Sequence, residues 1–175
     1  AKFNATGEVN YPIFSASFSS DISGFKVVNI KGKAIWTWGK YGDGCAMIQG
    51  SRDGKEINED WMISDEIEIG EPFNDVQFSF EQALSYKYDS PYDWYTVRIS
   101  TDYDPDRHAD PREATWRILE IPNPHPGNNF DFQSSGNIDF KYLKGQKFRI
   151  AFVYKSDSET MATWEVNKVK VIGNK

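Results

Sequence analysis

In the stretch DVQFSFEQAL, Val76, Phe78 and Phe80 alternate with Asp75, Gln77, Ser79 and Glu81. A period of two marks an extended strand with one dry and one wet face. The same alternation sets Tyr95, Val97 and Ile99 against Thr96, Arg98 and Ser100, and predicts Phe148, Ile150, Phe152 and Tyr154 on the inner face of KFRIAFVYKS. Further strands are predicted at PIFSASF, FKVVNI, AIWTW, CAMIQG, WMIS, EIEIG, ATWRILEI, NIDF and ATWEVNKVKVIG. No long window carries a 3.6-residue stripe, and Gly, Pro, Asn and Asp punctuate the runs. Such short strands must close into a barrel or pack as two sheets, because one open sheet would leave an aromatic face wet.

The last strand changes phase. Trp164 and Val166 share one face, whereas Val169 and Val171 fall on the opposite one. An extra residue at Asn167 to Lys168 would return both pairs to the core, and such bulges often re-aim a side chain at a site. We therefore expect Phe78, Phe80, Val97, Ile99, Phe148, Ile150, Phe152, Trp164 and Val166 in one core, within a single domain spanning 1–175.

Composition agrees with strands. Aromatic residues make up 15% of the 175 residues, and rings favour a pleated surface. The net charge of -6, with basic residues dispersed, argues against a nucleic-acid partner. No apolar run is long enough for a transmembrane helix, and the opening AKFNATGEVN does not read as a signal peptide. Cys45 is the only cysteine; in the apolar run CAMIQG it reads as a buried thiol.

Two loops carry candidate chemistry. DYDPDRHADPRE places Asp102, Asp104, Asp106, Asp110 and Glu113 at positions 1, 3, 5, 9 and 12 of a calcium-loop spacing. It is no EF-hand, since Arg107 stands where a Gly is needed and strands flank the window. Its carboxylates either hold a hard cation, Ca²⁺ or Na⁺, or are neutralised by Arg107 and Arg112 in a solvated loop. Zinc is excluded as a match by the supply of two His and one Cys.

The second loop, YKYDSPYDWY, offers five rings beside Asp89 and Asp93. Flat rings stack on sugar C–H faces while carboxylates accept from hydroxyls. Strand phase turns Trp94 outward, so Trp94 and Tyr92 are expected to form a shallow platform that Trp38 and Tyr41 could extend. On the alternative reading, Tyr86, Tyr88 and Tyr95 finish strands and pack inward. Glu59 and Asp60 cannot form an acid/base pair because neighbouring strand residues face opposite ways. His108 and His125 sit in Pro-containing loops with no catalytic or zinc-ligand spacing.

In order along the chain, FSASFSSDISGFKVVN, YGDGCAMIQG, NEDWMISDEIEI, VQFSFEQALSYKY, YTVRISTDYD, ATWRIL, KFRIAFVYKS and ATWEVNKVKV resemble the choice-of-anchor J and cleaved-adhesin family. The resemblance implies an all-β, two-sheet antiparallel jelly-roll sandwich of the galactose-binding or MAM-like kind. It implies a non-catalytic adhesive role on a bacterial surface, commonly lipid-anchored after secretion, and related domains often carry a structural Ca²⁺ where the first and last strands meet. This chain departs there, with Ala16 and Ser17 before Phe18 and with Asn167 in place of Asp. We expect a monomeric module that contacts glycan or glycoprotein. The alternatives are a spacer holding protein partners by an exposed sheet face and, ranking last, a glycan-cleaving enzyme.

Overall fold

The computed structural model describes residues 2–3, 9–50 and 56–175. The described strands are β1 (Lys2–Phe3), β2 (Val9–Ala16), β3 (Phe25–Lys31), β4 (Thr37–Gly39), β5 (Cys45–Gln49), β6 (Asn58–Ser64), β7 (Ile67–Glu68), β8 (Asp75–Ser85), β9 (Tyr95–Ser100), β10 (Arg117–Ile118), β11 (Asn129–Ser134), β12 (Ile138–Asp139), β13 (Lys147–Ser156) and β14 (Thr163–Asn174). They form the two-sheet antiparallel jelly roll. No helix among the described residues is long and apolar enough to cross a membrane.

β14 organises the front sheet. β8 runs beside it from Thr163↔Ser85 to Asn174↔Asp75, while its other edge is shared by β5 and then β2. β4 extends β5, β1 extends β2, and β11 and β12 pair with the far edge of β8. The back sheet runs β10-β9-β13-β6-β3, with β7 pairing the start of β13.

Alternation places the core. All nine residues expected there are buried between the sheets. The Phe152 ring sits 5.8 Å from Phe25, 5.2 Å from Phe80 and 5.9 Å from Trp164, linking both sheets through edge-to-face and tilted contacts. The phase change in β14 is a bulge: register shifts between Asn167 and Lys170, Lys168 takes φ 49°, and Val169 and Val171 return to the core.

Several segments depart from the predicted strands: EIEIG keeps only Ile67–Glu68, and Asn129–Ser134 is a strand outside the predicted set. In AIWTW only Thr37 and Trp38 pair as strand. Ala34 N–H instead donates to Asn58 Oδ1 (3.1 Å) and Trp36 N–H to Asp60 Oδ2 (2.8 Å), so side chains replace the ladder. ATWRILEI keeps only Arg117–Ile118 as strand.

The outer face of the back sheet has its own small core of Trp61, Ile63, Ala151 and Val153, against which Tyr103 and Trp116 pack. Trp61 and Trp116 meet edge-on at 5.2 Å. The acidic loop lies between Tyr103 and Trp116 in the chain, so those two rings tie its ends down onto an otherwise wet aromatic face.

A candidate glycan site on the front sheet

On the outer face of the front sheet, cross-strand pairing sets Gln49 beside Thr163 and Met47 beside Glu165. On the other side of β14, Thr163 pairs with Ser85 and Glu165 with Ala83. Ala83 and Ser85 project little, so the floor stays low along this row. Two walls rise from it. Tyr41 stands on the turn between β4 and β5, and Phe130 and Phe132 come from β11, whose register slips against β8 between Asn129 and Gln133. The walls meet at Gly42, where a Cβ would lie 2.5 Å from the Phe132 ring. The open cavity between them measures about 490 Å³.

The floor is chemically unusual. Glu165 is 3% exposed and lines the cavity, yet among the described residues its one hydrogen-bond donor is the Cys45 thiol, with Sγ 3.9 Å from Oε2. Burial pushes the Glu165 carboxyl up, partly offset by that thiol. Burial first, and the Glu165 charge second, push Cys45 up to about 12. The thiol is therefore a spectator. Glu165 is left with acceptor capacity at the base of a ring-lined cavity.

Beyond the cavity the rings continue. Tyr86 lies 6.0 Å from Phe130 in an edge-to-face contact and 6.4 Å from Tyr88. Tyr86 is 49% exposed and Tyr88 73%. Both follow the end of β8 with left-handed φ, 64° and 48°, which turns them out of the strand. The inward-packing alternative thus holds only for Tyr95, whose ring lies 5.4 Å from Tyr154 and 6.3 Å from Trp164.

The other expected ligand residues are dispersed. Tyr92 is exposed and borders a narrow cleft with Tyr95 and His125. Trp94 is half-buried rather than solvent-facing; its ring meets Tyr95 edge-on at 6.5 Å, and its carbonyl accepts from Lys155 N–H. Asp93 pairs with Lys155 at 3.5 Å, and Asp89 is exposed. Trp38 donates Nε1–H to the Phe18 carbonyl at 2.8 Å, which fixes its ring against the chain. Of the named set, Tyr41 alone lines the front-sheet cavity.

Phe130, Phe132, Met47, Gln49, Thr163 and Glu165 were not singled out by sequence. A signal for some of them existed: Phe-x-Phe alternation in NNFDFQS, and the outward phase of Glu165 in TWEV.

The oxygen-rich loop does not converge. Among the described residues no group of three or more His, Cys, Asp and Glu is placed to hold a metal. Asp102 accepts from Ser100 Oγ–H (2.8 Å) and Thr115 N–H (2.9 Å), and the Ser100 hydroxyl is the main cause that holds its carboxyl low. Asp104 accepts from Asp106 N–H (2.9 Å), and Asp110 is clamped by Arg112 at 2.7 Å. Glu113 belongs to a single 3-10 turn capped by Asp110. Asp102, Asp104 and Asp110 thus spend lone pairs on local donors, and Asp106 and Glu113 do not join them in a cluster.

At the second expected ion position, Asn167 is 1% exposed and its Nδ2 donates to the carbonyls of Gly42 (2.6 Å) and Gly44 (3.1 Å). Asn167 Oδ1 has no partner. The amide hydrogens thus point at carbonyls a cation would need, and Asn167 brings no charge of its own. The residues fit an amide clamp on the loop that carries Tyr41.

No family model matches the chain, and no curated protein matches it. Among solved structures, the K1 cleaved adhesin domain of Lys-gingipain from Porphyromonas gingivalis W83 superposes with a TM-score of 0.58 at 14% identity, covering 93% of this chain and 97% of that one. The chain has the fold of these adhesin domains. TmCBM61 in complex with β-1,4-galactotriose matches at 0.52 and 10% identity, over 92% of this chain and 97% of that one. A xylan-binding domain of CBM 22 matches at 0.50 and 10% identity, over 93% and 94%. At such identities the likeness is one of fold.

Proposed function

We propose that the protein is a non-catalytic module that binds glycan in the front-sheet cavity. One observation carries this assignment: a buried, weakly partnered carboxyl, Glu165, at the base of a cavity walled by Tyr41, Phe130 and Phe132. A pyranose stacks its C–H face on a ring while its hydroxyls donate to a carboxylate and exchange hydrogen bonds with Gln49 and Thr163. A lone buried carboxyl, with no second acid opposite it, suits recognition rather than glycosidic cleavage, which needs a facing pair. Two structures that share the fold, one holding β-1,4-galactotriose and one named for xylan binding, support the same assignment.

A surface or secreted location, with the lipid anchor that the family resemblance implies, accompanies this function. We further propose that the Asn167 amide replaces a cation in holding the Tyr41 loop, so binding requires no calcium. The test is a glycan array followed by titration of the retained polysaccharide against wild type, Phe130→Ala and Trp94→Ala. Loss with Phe130→Ala alone supports the front-sheet site. Loss with Trp94→Ala alone transfers function to the loop before β9.

A further inference from the structure

The outer face of the front sheet does not end at the aromatic cavity. Past the bulge, β14 turns Lys170, Ile172 and Asn174 to the same side as Glu165, and cross-strand pairing sets them in three rungs. Lys170 lies beside Ser79, Ile172 beside Gln77, and Asn174 between Asp75 and Asn10. These rungs form the floor of a second cavity of about 610 Å³. Its chemistry differs from the first: among the described residues no aromatic ring lines it, and amides are the commonest side chains. Gln77 Nε2 donates to Asp75 Oδ1 at 2.7 Å, Asn174 Oδ1 is buried without a partner among the described residues, and half-buried Ile172 and exposed Pro12 supply apolar surface.

Between the cavities stands one ion pair. Lys168 sits at the bulge with a left-handed φ and reaches Glu81 at 3.3 Å. Each cancels the other's charge, and among the described residues the second cavity holds one exposed cation, Lys170, and one carboxylate, Asp75, so the face presents mixed charge rather than a single-sign patch for a polyanion or polycation. From Glu165 to Ile172 an extended strand covers roughly 20 Å. Several pyranose rings end to end span that distance, with one end among rings and the other among amides.

We infer that the front sheet binds the interior of a linear, uncharged polysaccharide laid along β14. The ring-walled cavity holds one part of the chain, and Asn10, Gln77, Asn174 and Ile172 hold a second part beyond the Lys168–Glu81 pair. This inference rests on the glycan site proposed above and adds its ligand class and length. The Gln77 amide oxygen and the Asn174 amide nitrogen supply an acceptor and a donor there, which match hydroxyls that both give and take.

The experiment presents β-1,4-galactan, β-1,4-xylan and β-1,4-mannan, then titrates the disaccharide-to-hexasaccharide ladder of whichever is retained. The proteins are wild type, a Gln77→Ala/Asn174→Ala variant and Phe130→Ala. Two ordinary hydrogen bonds in the second cavity raise affinity by about tenfold between the shortest and longest oligomers. The double variant should lose that rise while keeping wild-type affinity for the disaccharide; Phe130→Ala should weaken every oligomer. An affinity that is flat from disaccharide to hexasaccharide, or a rise that survives in the double variant, overturns the second subsite and leaves the first standing. Retention of none of the three polysaccharides overturns the linear-chain ligand class.

Discussion

Replacing Asn167 by Asp would change one atom pair in the most constrained part of the site. Asn167 Nδ2 is the donor for the carbonyls of Gly42 and Gly44, at 2.6 and 3.1 Å. The turn it holds is strained, with Gly42, Asp43 and Gly44 all at positive φ, and Tyr41 precedes them. Asp in that place removes both donors and aims a carboxylate at two carbonyl oxygens. Each buried or part-buried acceptor left without a partner costs about 1–3 kcal/mol, so the loss for the two is roughly 2–6 kcal/mol. At about 2–4 °C per kcal/mol for a domain of this size, the melting midpoint should fall by roughly 4–24 °C.

Calcium should restore part of that loss, because a carboxylate with two carbonyls is an oxygen site for a hard cation. Calorimetry with saturating calcium and with chelator reads both effects. Wild type should melt at one temperature in both buffers, and Asn167→Asp should melt higher in calcium. A wild type that loses stability in chelator would show that the native clamp is a cation after all. An Asn167→Asp protein that melts like wild type would refute the clamp itself.

Three further outcomes are expected. Phe152→Ala removes a fully buried ring that touches both sheets and should cost about 3–5 kcal/mol in a denaturant titration. Burial pushes the Asp60 carboxyl up to about 7, offset by the Trp36 N–H, so between the ordinary carboxylate range and about 7 the folded state holds a proton the unfolded state has released. Stability should therefore fall as pH rises through that window and level off above it, and Asp60→Asn should flatten the profile; a wild-type midpoint that rises from pH 5 to 7 while Asp60→Asn stays flat contradicts the sign. Glu165→Ala should weaken binding of the retained polysaccharide by about tenfold or more in isothermal titration, as loss of a charge-assisted hydrogen bond does.

Much of the fold was legible because the chain alternates cleanly wherever one face is buried. Val76, Phe78 and Phe80, or Phe148, Ile150 and Phe152, announce their strand and their face together. The bulge at Asn167 was legible for the same reason, as a conflict between Trp164 and Val169 over which side is inner. Loops obeyed no such rule. Trp94 has the outward phase, yet its surroundings half-bury it, and Tyr86 and Tyr88 leave the strand through left-handed backbone that periodicity does not foresee.

The cavity depended on contacts across the chain. Tyr41, Phe130 and Glu165 come from a turn, a slipped edge strand and the central strand, and only the pairing of β14 with β5 and β8 assembles them. The acidic loop shows the converse. Its spacing suits calcium, but Asp102, Asp104 and Asp110 are taken up by local donors, while Tyr103 and Trp116 at its ends cover the back sheet.

The most direct test of a front-sheet glycan site is amide chemical-shift mapping of the labelled protein during titration with the oligosaccharide ladder of the polysaccharide retained on the array. The largest shifts are predicted at Tyr41, Met47, Gln49, Phe130, Phe132, Thr163 and Glu165, extending to Gln77 and Asn174 with the longest oligomers. Shifts confined to Tyr92 through Tyr95, or to the outer face of the back sheet around Trp61 and Tyr103, would contradict it.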